Sequence, residues 1–232
     1  MAAHFYLADS THTYFIMIDW NQISTVLLDM DGTLLDLHFD TYFWTQHVPL
    51  RYAEKHQLEL EDAHQILKPK FKAAEGSMNW YCVDYWSNEL SLDIALLKAE
   101  VDHLIAVHPH VIEFLESLQA ANKQVVLVTN AHQKSLALKM ERTALQHHFD
   151  DIICAHDLGL PKEDPEFWHE LNQKMHYDKE RTLLVDDTLS ILRSAHGYGI
   201  KYCLAVLKPD SQSPEREVEE FEAITDFRDI TP

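Results

Sequence analysis

The sequence predicts an α/β fold, a doubly wound parallel sheet interrupted between its first and second strands by an all-helical insertion. Three observations carry this. Five short apolar or β-branched runs alternate with segments of helical periodicity, the pattern of parallel strands joined by right-handed helical crossovers. Four of the runs lead into polar residues suited to chemistry, and in a doubly wound sheet such residues gather at the carboxyl ends of the strands. The stretch from Asp36 to about Val107 instead shows only helical, aromatic-rich patterns, broken by Pro49, Pro69 and Gly76. The chain accordingly divides into an N-terminal extension (1–22), an α/β core (23–36 and 108–232) and a helical insertion (37–107).

Composition bounds the function. A chain of 232 residues, 46% of them hydrophobic, can fill one α/β core and an insertion. With 38 acidic against 19 basic residues the formal charge is -19, which argues against nucleic-acid polymers and anionic membranes as partners. That field also slows capture of small anions unless a cation and a local lysine invert it. Cys82, Cys154 and Cys203 are odd in number, well separated and without CxxC spacing, so neither a disulfide framework nor a zinc site is expected and a reducing cytoplasm fits. Oligomeric state is not legible.

From Met1 to Asn21 there is no Lys or Arg, which is no secretory signal, and Met17 is as good a start as Met1. The run Tyr14–Ile18 is too short to span a bilayer and reads as a packed extension or a frayed tail. The first strand is Thr25-Val-Leu-Leu, followed by Asp29-Met-Asp31-Gly32-Thr33. Gly32 lets the backbone turn sharply and present N–H groups to an anion, while Asp29 and Asp31 project into one crevice. Two neighbouring carboxylates repel each other, which is useful where a divalent cation neutralises one and the other shuttles a proton. An ordinary Asp-rich turn uses the same residues.

In the insertion, Ile94, Leu97, Val101, Leu104 and Ile105 form an apolar helical stripe with Lys98 and Glu100 turned away. Before it, Asn79-Trp80-Tyr81-Cys82-Val83-Asp84-Tyr85-Trp86 is apolar on too many sides for a surface helix; it either sits in a helical core or lines a pocket. The core resumes at Pro109 with an amphipathic helix carrying Val111, Phe114, Leu115 and Leu118, ending near Asn122. The second strand runs from Gln124 to Thr129-Asn130, whose hydroxyl and carboxamide can grip a phosphate without adding negative charge, or simply cap a helix. His132 beside them reads as a helix-start contact rather than a catalytic base.

Asp151-Ile-Ile-Cys154 is a third strand. In Leu160-Pro-Lys162-Glu-Asp164-Pro165, Asp164 is an N-cap and Pro165 opens a helix, so Lys162 sits where its ammonium can reach back to a phosphoryl oxygen or to Asp29. The fourth strand, from Thr182, ends in Asp186-Asp187, oxygen donors of the kind that suit Mg²⁺. A helix from about Thr188 buries Leu189, Leu192 and Ala195 and stops at Gly197 or Gly199. Lys201–Val206 is the last strand, and the tail from Pro214 reads as a Glu-rich, solvent-facing helix.

Taken in order, Asp29-x-Asp31-Gly32-Thr33, Thr129-Asn130, Lys162 and Asp186-Asp187 resemble the four motifs of the haloacid dehalogenase (HAD) superfamily, the second Asp marking its phosphatase branch. The resemblance implies a HAD-like, Rossmann-like core whose helical insertion is a cap over the active site. It further implies Asp29 as nucleophile, Asp31 as general acid/base, and Thr129, Asn130 and Lys162 as phosphate ligands. Mg²⁺ would be held by Asp29, the backbone carbonyl of Asp31 and Asp187, with Asp186 one shell out. In the cap, Phe39-Asp40-x-Tyr42-Phe43-Trp44 and the string Asn79–Trp86 are similar to a bacterial GMP/IMP nucleotidase subgroup. That implies a 5′-nucleotidase acting on small purine monophosphates, with Asn79, Trp80, Tyr81, Asp84, Tyr85 and Trp86 as candidate substrate contacts. Three other readings stay open: a phosphatase for phosphoglycolate or a sugar phosphate, a dehalogenase using the same nucleophile on carbon, and a receiver-type domain that accepts phosphate without turnover. The dehalogenase needs neither a metal nor an acid at Asp31, and receiver domains lack a large helical insertion.

Overall fold

The computed structural model describes residues 18–232. The expectations for the N-terminal extension fall mostly outside these residues, although Ile18 and Trp20 pack on the core. The first strand, β1 (Thr25–Leu28), is followed by the inserted helices α1 (His38–Tyr42), α2 (Val48–His56), α3 (Leu60–Ala74), α4 (Met78–Tyr81), α5 (Val83–Leu90) and α6 (Ile94–Glu100). A π-helical turn, Phe43–His47, joins α1 to α2. The core then continues with α7 (Val111–Ala120), β2 (Gln124–Thr129), α8 (Gln133–Thr143), β3 (Asp151–Cys154), α9 (Ala155–Leu158), α10 (Pro165–Met175), β4 (Thr182–Asp186), α11 (Leu189–Tyr198), β5 (Tyr202–Val206) and β6 (Glu222–Ile224).

All six strands of the described residues are parallel, in the order β3-β2-β1-β4-β5-β6. The central strands are apolar on both faces because both faces are covered, and successive side chains alternate between two cores. Val26 and Leu28 join Val125, Leu127, Leu183 and Val185 beneath α7, whose Phe114, Leu115 and Leu118 are fully buried. Leu27, Val126, Val128 and Leu184 face the other way, onto Phe167, Trp168 and Leu171 of α10 and Leu192 and Ala195 of α11. The helix ends follow from local chemistry: the Asp164 carboxylate accepts the Glu166 N–H above Pro165, and Gly199 closes α11 at φ +110°.

The inserted helices hold a third core of their own, built on Phe39, Phe43, Leu67, Trp86, Leu90 and Ile94. The two passages of chain that connect them to the sheet run side by side: Leu35 pairs with Val107 as an antiparallel bridge, the Asp36 N–H donates to Ala106 O and the His108 N–H to Leu34 O.

Three expectations need correction. The tail from Pro214 is not a helix; it runs without regular structure to β6, a sixth strand paired with β5. A helix there would set Glu215 against Glu219 at i,i+4, a like-charge repulsion, whereas the irregular path packs Val218 and Phe221 on the core and lets the Arg216 guanidinium bond Val206 O and Asp187 O. The helix expected to run through Ile105 stops at Glu100 and becomes a short 3₁₀ turn over Asp102–Leu104. Lys98 does not face solvent: it is 4% exposed, its Nζ donating to Asp40 Oδ1 at 2.7 Å and lying over the rings of Phe39, Phe43 and Trp44.

Candidate active site

The carboxyl ends of β1, β2 and β4 open into a cavity of about 430 Å³ roofed by the inserted helices. Asp29 and Asp31 leave β1 into it, Thr129 and Asn130 leave β2, Lys162 comes from the loop after β3, and Asp187 follows β4. Four chain segments far apart in sequence thus converge because parallel strands end together.

Lys162 is the hub of the arrangement. It is fully buried, and its three ammonium protons go to Asp29 Oδ1 at 2.5 Å, Asp186 Oδ2 at 2.7 Å and Val128 O at 3.0 Å. Burial works against the cation, but Asp186 and Asp29 outweigh it and hold the ammonium charged well above its usual range. Asp29 in turn is pushed up to about 6 by burial and by Asp186, with Lys162 opposing. Asp186 also accepts the Thr188 N–H at 2.8 Å, so both its oxygens are engaged. Among the described residues, Asp187 accepts only a 3.2 Å bond from Thr188 Oγ1, and burial together with Asp186 and Asp29 drives its carboxyl well above the usual range.

One oxygen from each of Asp29, Asp186 and Asp187 can be chosen so that all lie within 4.8 Å of one another. Three buried carboxylates against one ammonium is a surplus of negative charge that a divalent ion relieves, and an all-oxygen donor set suits Mg²⁺. Gly32 contributes by its smallness. A Cβ there would lie 2.8 Å from the Asp187 carboxylate, and the backbone sits at φ +85°. Its own N–H is bonded to Leu35 O at 2.7 Å and so is not among the turn N–H groups left for an anion.

Thr129 Oγ1 accepts the Ala131 N–H at 3.0 Å, which leaves its hydroxyl proton to donate into the cavity. Asn130 is more committed: Oδ1 accepts the Lys162 N–H at 2.9 Å and Nδ2 donates to Glu163 Oε2 at 2.9 Å. Glu163 also accepts from Tyr81 Oη at 2.5 Å, a contact between roof and floor.

Asp31 is held by a residue the sequence did not mark. Lys139 of α8, 1% exposed, donates to Asp31 Oδ1 at 2.6 Å and Asp40 Oδ2 at 2.5 Å, so a chain of alternating charge, Asp31–Lys139–Asp40–Lys98, runs from the core into the roof. Burial raises Asp31 to about 6 against the pull of Lys139. Asp40, whose burial is outweighed by Lys139 and Lys98, lies far below the usual carboxylate range.

Of the candidate substrate contacts in the insertion, Trp80 and Tyr81 line the cavity, joined by Trp44. The structure does not bring the others there. Asn79 is exposed, Asp84 is exposed and paired with Lys134 at 2.6 Å, Tyr85 packs on Trp86, and Trp86 is buried in the helical core with its Nε1–H on Trp80 O. Their pattern is the interior of a small helical unit, which needs aromatic residues on several sides.

Comparison with known proteins fits this geometry. The sequence model of the haloacid dehalogenase-like hydrolases matches residues 26–205. The chain belongs to that family. It is 41% identical over 217 residues to the GMP/IMP nucleotidase YrfG of Escherichia coli K12, covering 94% of this chain and 98% of the relative, and so resembles the family's nucleotidase-type phosphatases. Among solved structures, a HAD phosphatase from Thermococcus onnurineus superposes with a TM-score of 0.72 at 21% identity, covering 87% of this chain and 93% of that one. The L-2-haloacid dehalogenase PA0810 superposes at 0.60 and 16% identity, covering 90% and 98%. Backbone similarity at this level establishes the HAD fold alone. No helix among the described residues is long and apolar enough to cross a membrane.

Proposed function

We propose that this HAD-family phosphatase is a Mg²⁺-dependent 5′-nucleotidase acting on purine monophosphates, GMP and IMP, through an aspartyl-phosphate intermediate. The observation that carries the chemistry is the pairing of Asp29 with Lys162 beside a second acid, Asp31, held in place by Lys139. Asp29 attacks phosphorus as the P–O bond to ribose breaks. Asp31 gives its proton to the departing ribose oxygen, then takes one from the water that attacks the aspartyl phosphate and returns Asp29 to its carboxylate. A carboxyl poised near 6 serves both directions. Thr129 and, once its bond to Asp29 is given up, Lys162 orient the phosphoryl oxygens, and Asn130 holds the Lys162 backbone in register. Asp29, Asp187 and the Asp31 carbonyl would hold Mg²⁺, which when bound neutralises the charge gathering on the phosphoryl group.

The purine assignment is supported by the 41% identity to a GMP/IMP nucleotidase and by two indole rings, Trp44 and Trp80, on the cavity wall. Stacking on such a surface is worth roughly 1–3 kcal/mol per base. A phosphate-release screen over GMP, IMP, AMP, pyrimidine monophosphates, phosphoglycolate and sugar phosphates tests it. kcat/KM for GMP and IMP should exceed AMP by at least about tenfold. Equal rates across the panel would defeat the purine assignment and leave the phosphatase; chloride release from a 2-haloacid without phosphate release would replace it with a dehalogenase.

A further inference from the structure

At the seam between roof and core, on the wall of the same cavity that His132 lines, three nitrogen and sulfur side chains meet that the proposed chemistry does not use. Cys82 lies between α4 and α5, His132 between β2 and α8, and His156 in α9. One donor atom from each can be chosen so that all three lie within 4.8 Å of one another, and the two imidazole rings stand 4.9 Å apart at 83°. His156 is the telling residue: both its ring nitrogens are buried and neither has a hydrogen-bond partner among the described residues. A buried polar group without a partner forfeits its hydration for nothing, unless a ligand supplies the bond.

The other two donors are only loosely engaged. Cys82 Sγ accepts the Tyr85 N–H at 3.4 Å. His132 Nδ1 accepts the Lys134 N–H at 3.3 Å, and its Nε2 is 3.7 Å from Asp84 Oδ2. Coordination through either nitrogen of His132 costs at most that one long bond.

We propose that Cys82, His132 and His156 form a second metal site, for a borderline-soft transition ion such as Zn²⁺, that staples the helical roof to the core. The donor set is sulfur and nitrogen, the complement of the all-oxygen trio, so the two sites select different metals. Around a tetrahedral ion with Zn–S near 2.3 Å and Zn–N near 2.1 Å, donors sit roughly 3.5 Å apart, so these side chains need only a small inward adjustment. Asp84 or a water completes the fourth position. On binding, the Cys82 thiol proton goes to solvent and the thiolate bonds the ion. Because Cys82 belongs to the roof and both histidines to the core, the ion cross-links the two, and product release that requires them to part slows. The site stands without the nucleotidase reading; only the effect on turnover rests on it.

The test uses the full-length protein in excess Mg²⁺ with Co²⁺ as probe, followed by displacement with Zn²⁺. Wild type should bind one equivalent of Co²⁺ with a thiolate-to-cobalt charge-transfer band in the near ultraviolet. Cys82→Ser should lose the band, His156→Gln should weaken binding at least about tenfold, and Asp187→Asn should keep both band and affinity. No band in wild type, or a band that survives Cys82→Ser, overturns the site. One equivalent of Zn²⁺ should slow phosphate release by about fivefold or more in wild type and leave Cys82→Ser unaffected. A cobalt band without that slowing overturns the staple. Absence of phosphate release before any Zn²⁺ is added counts against the hydrolase reading, and the cobalt band still decides whether the site exists.

Discussion

Asp186 and Asp187 are neighbours in sequence, yet the structure assigns them opposite effects on stability. In Asp187→Asn a buried carboxylate that faces Asp186 and Asp29, and bonds nothing stronger than a 3.2 Å hydroxyl, is replaced by a neutral isostere. At 4.8 Å and an effective dielectric near 20, each like-charge pair costs roughly 3.5 kcal/mol. The carboxyl escapes part of that cost by holding a proton, so the expected gain without metal is about 2 kcal/mol, a rise in Tm of roughly 4–8 °C. The sign with pH follows from linkage. A raised folded-state pKa means the folded protein binds more protons than the unfolded chain, so the penalty is absent below the ordinary 3.8, grows as pH rises toward the folded value, and disappears in the variant. Burial raises Asp186 as well, but its charge is paired with Lys162, so Asp186→Asn acts in the opposite direction. It strips Lys162 of a 2.7 Å partner in a fully buried site, which costs about 3 kcal/mol or roughly 6–12 °C. Saturating Mg²⁺, at a hundredfold over Kd, should add about 2.7 kcal/mol to wild type and almost nothing to Asp187→Asn. Differential scanning calorimetry in chelator and in Mg²⁺ reads all four numbers. A lower Tm for Asp187→Asn in chelator, or an intact Mg²⁺ shift in that variant, would refute the reasoning.

Three further outcomes are expected. Asp29→Asn should fold normally and lose more than about a thousandfold in kcat, because an amide is a poor nucleophile; a tenth of wild-type activity in a folded variant contradicts the covalent route. Lys139→Met should lose about 3 kcal/mol in urea titration, since it leaves Asp31 and Asp40 facing each other, and should lower kcat more than it raises KM; an effect on KM alone would place Lys139 outside the chemistry. Burial lowers the His148 pKa, so the folded state resists protonation there and stability should fall as pH drops below 6.5. His148→Gln should flatten that part of the Tm profile, and an unchanged slope would remove His148 as its source.

What could be read from the sequence was local. A run such as Thr25-Val-Leu-Leu marks a buried strand, the polar residues after it mark a crevice, and Asp164-Pro165 marks a helix start, because each signal lies within a few residues. Lys98 and Lys139 were invisible to the same reasoning. Periodicity assigns a lysine to solvent, and what reverses the assignment is a carboxylate, Asp40, that lies 58 and 99 residues away in sequence, together with aromatic rings whose faces meet the ammonium groups. The string Asn79–Trp86 was ambiguous for the opposite reason: an aromatic face suits a helical core and a ligand pocket equally, and only the packing of Trp86 against Phe71 and Tyr85 separates its members. Glu163, beside Lys162, carried no signal of its own.

The paired passages at Leu35 and Val107 have a consequence for the history of such a molecule. Because the two ends of the insertion emerge as neighbours in an antiparallel bridge, about 5 Å apart, the sheet closes whether the excursion between them is long or short, and lengthening it adds loop entropy only logarithmically. The helical unit brings its own core of Phe39, Phe43 and Trp86. It can therefore be exchanged for another unit whose ends meet at the same spacing, while the strands that lead into Asp29, Thr129 and Asp187 stay as they are. A fold wired in this way can acquire a new substrate by recombination of a module that again offers Lys139 a carboxylate where Asp40 now stands.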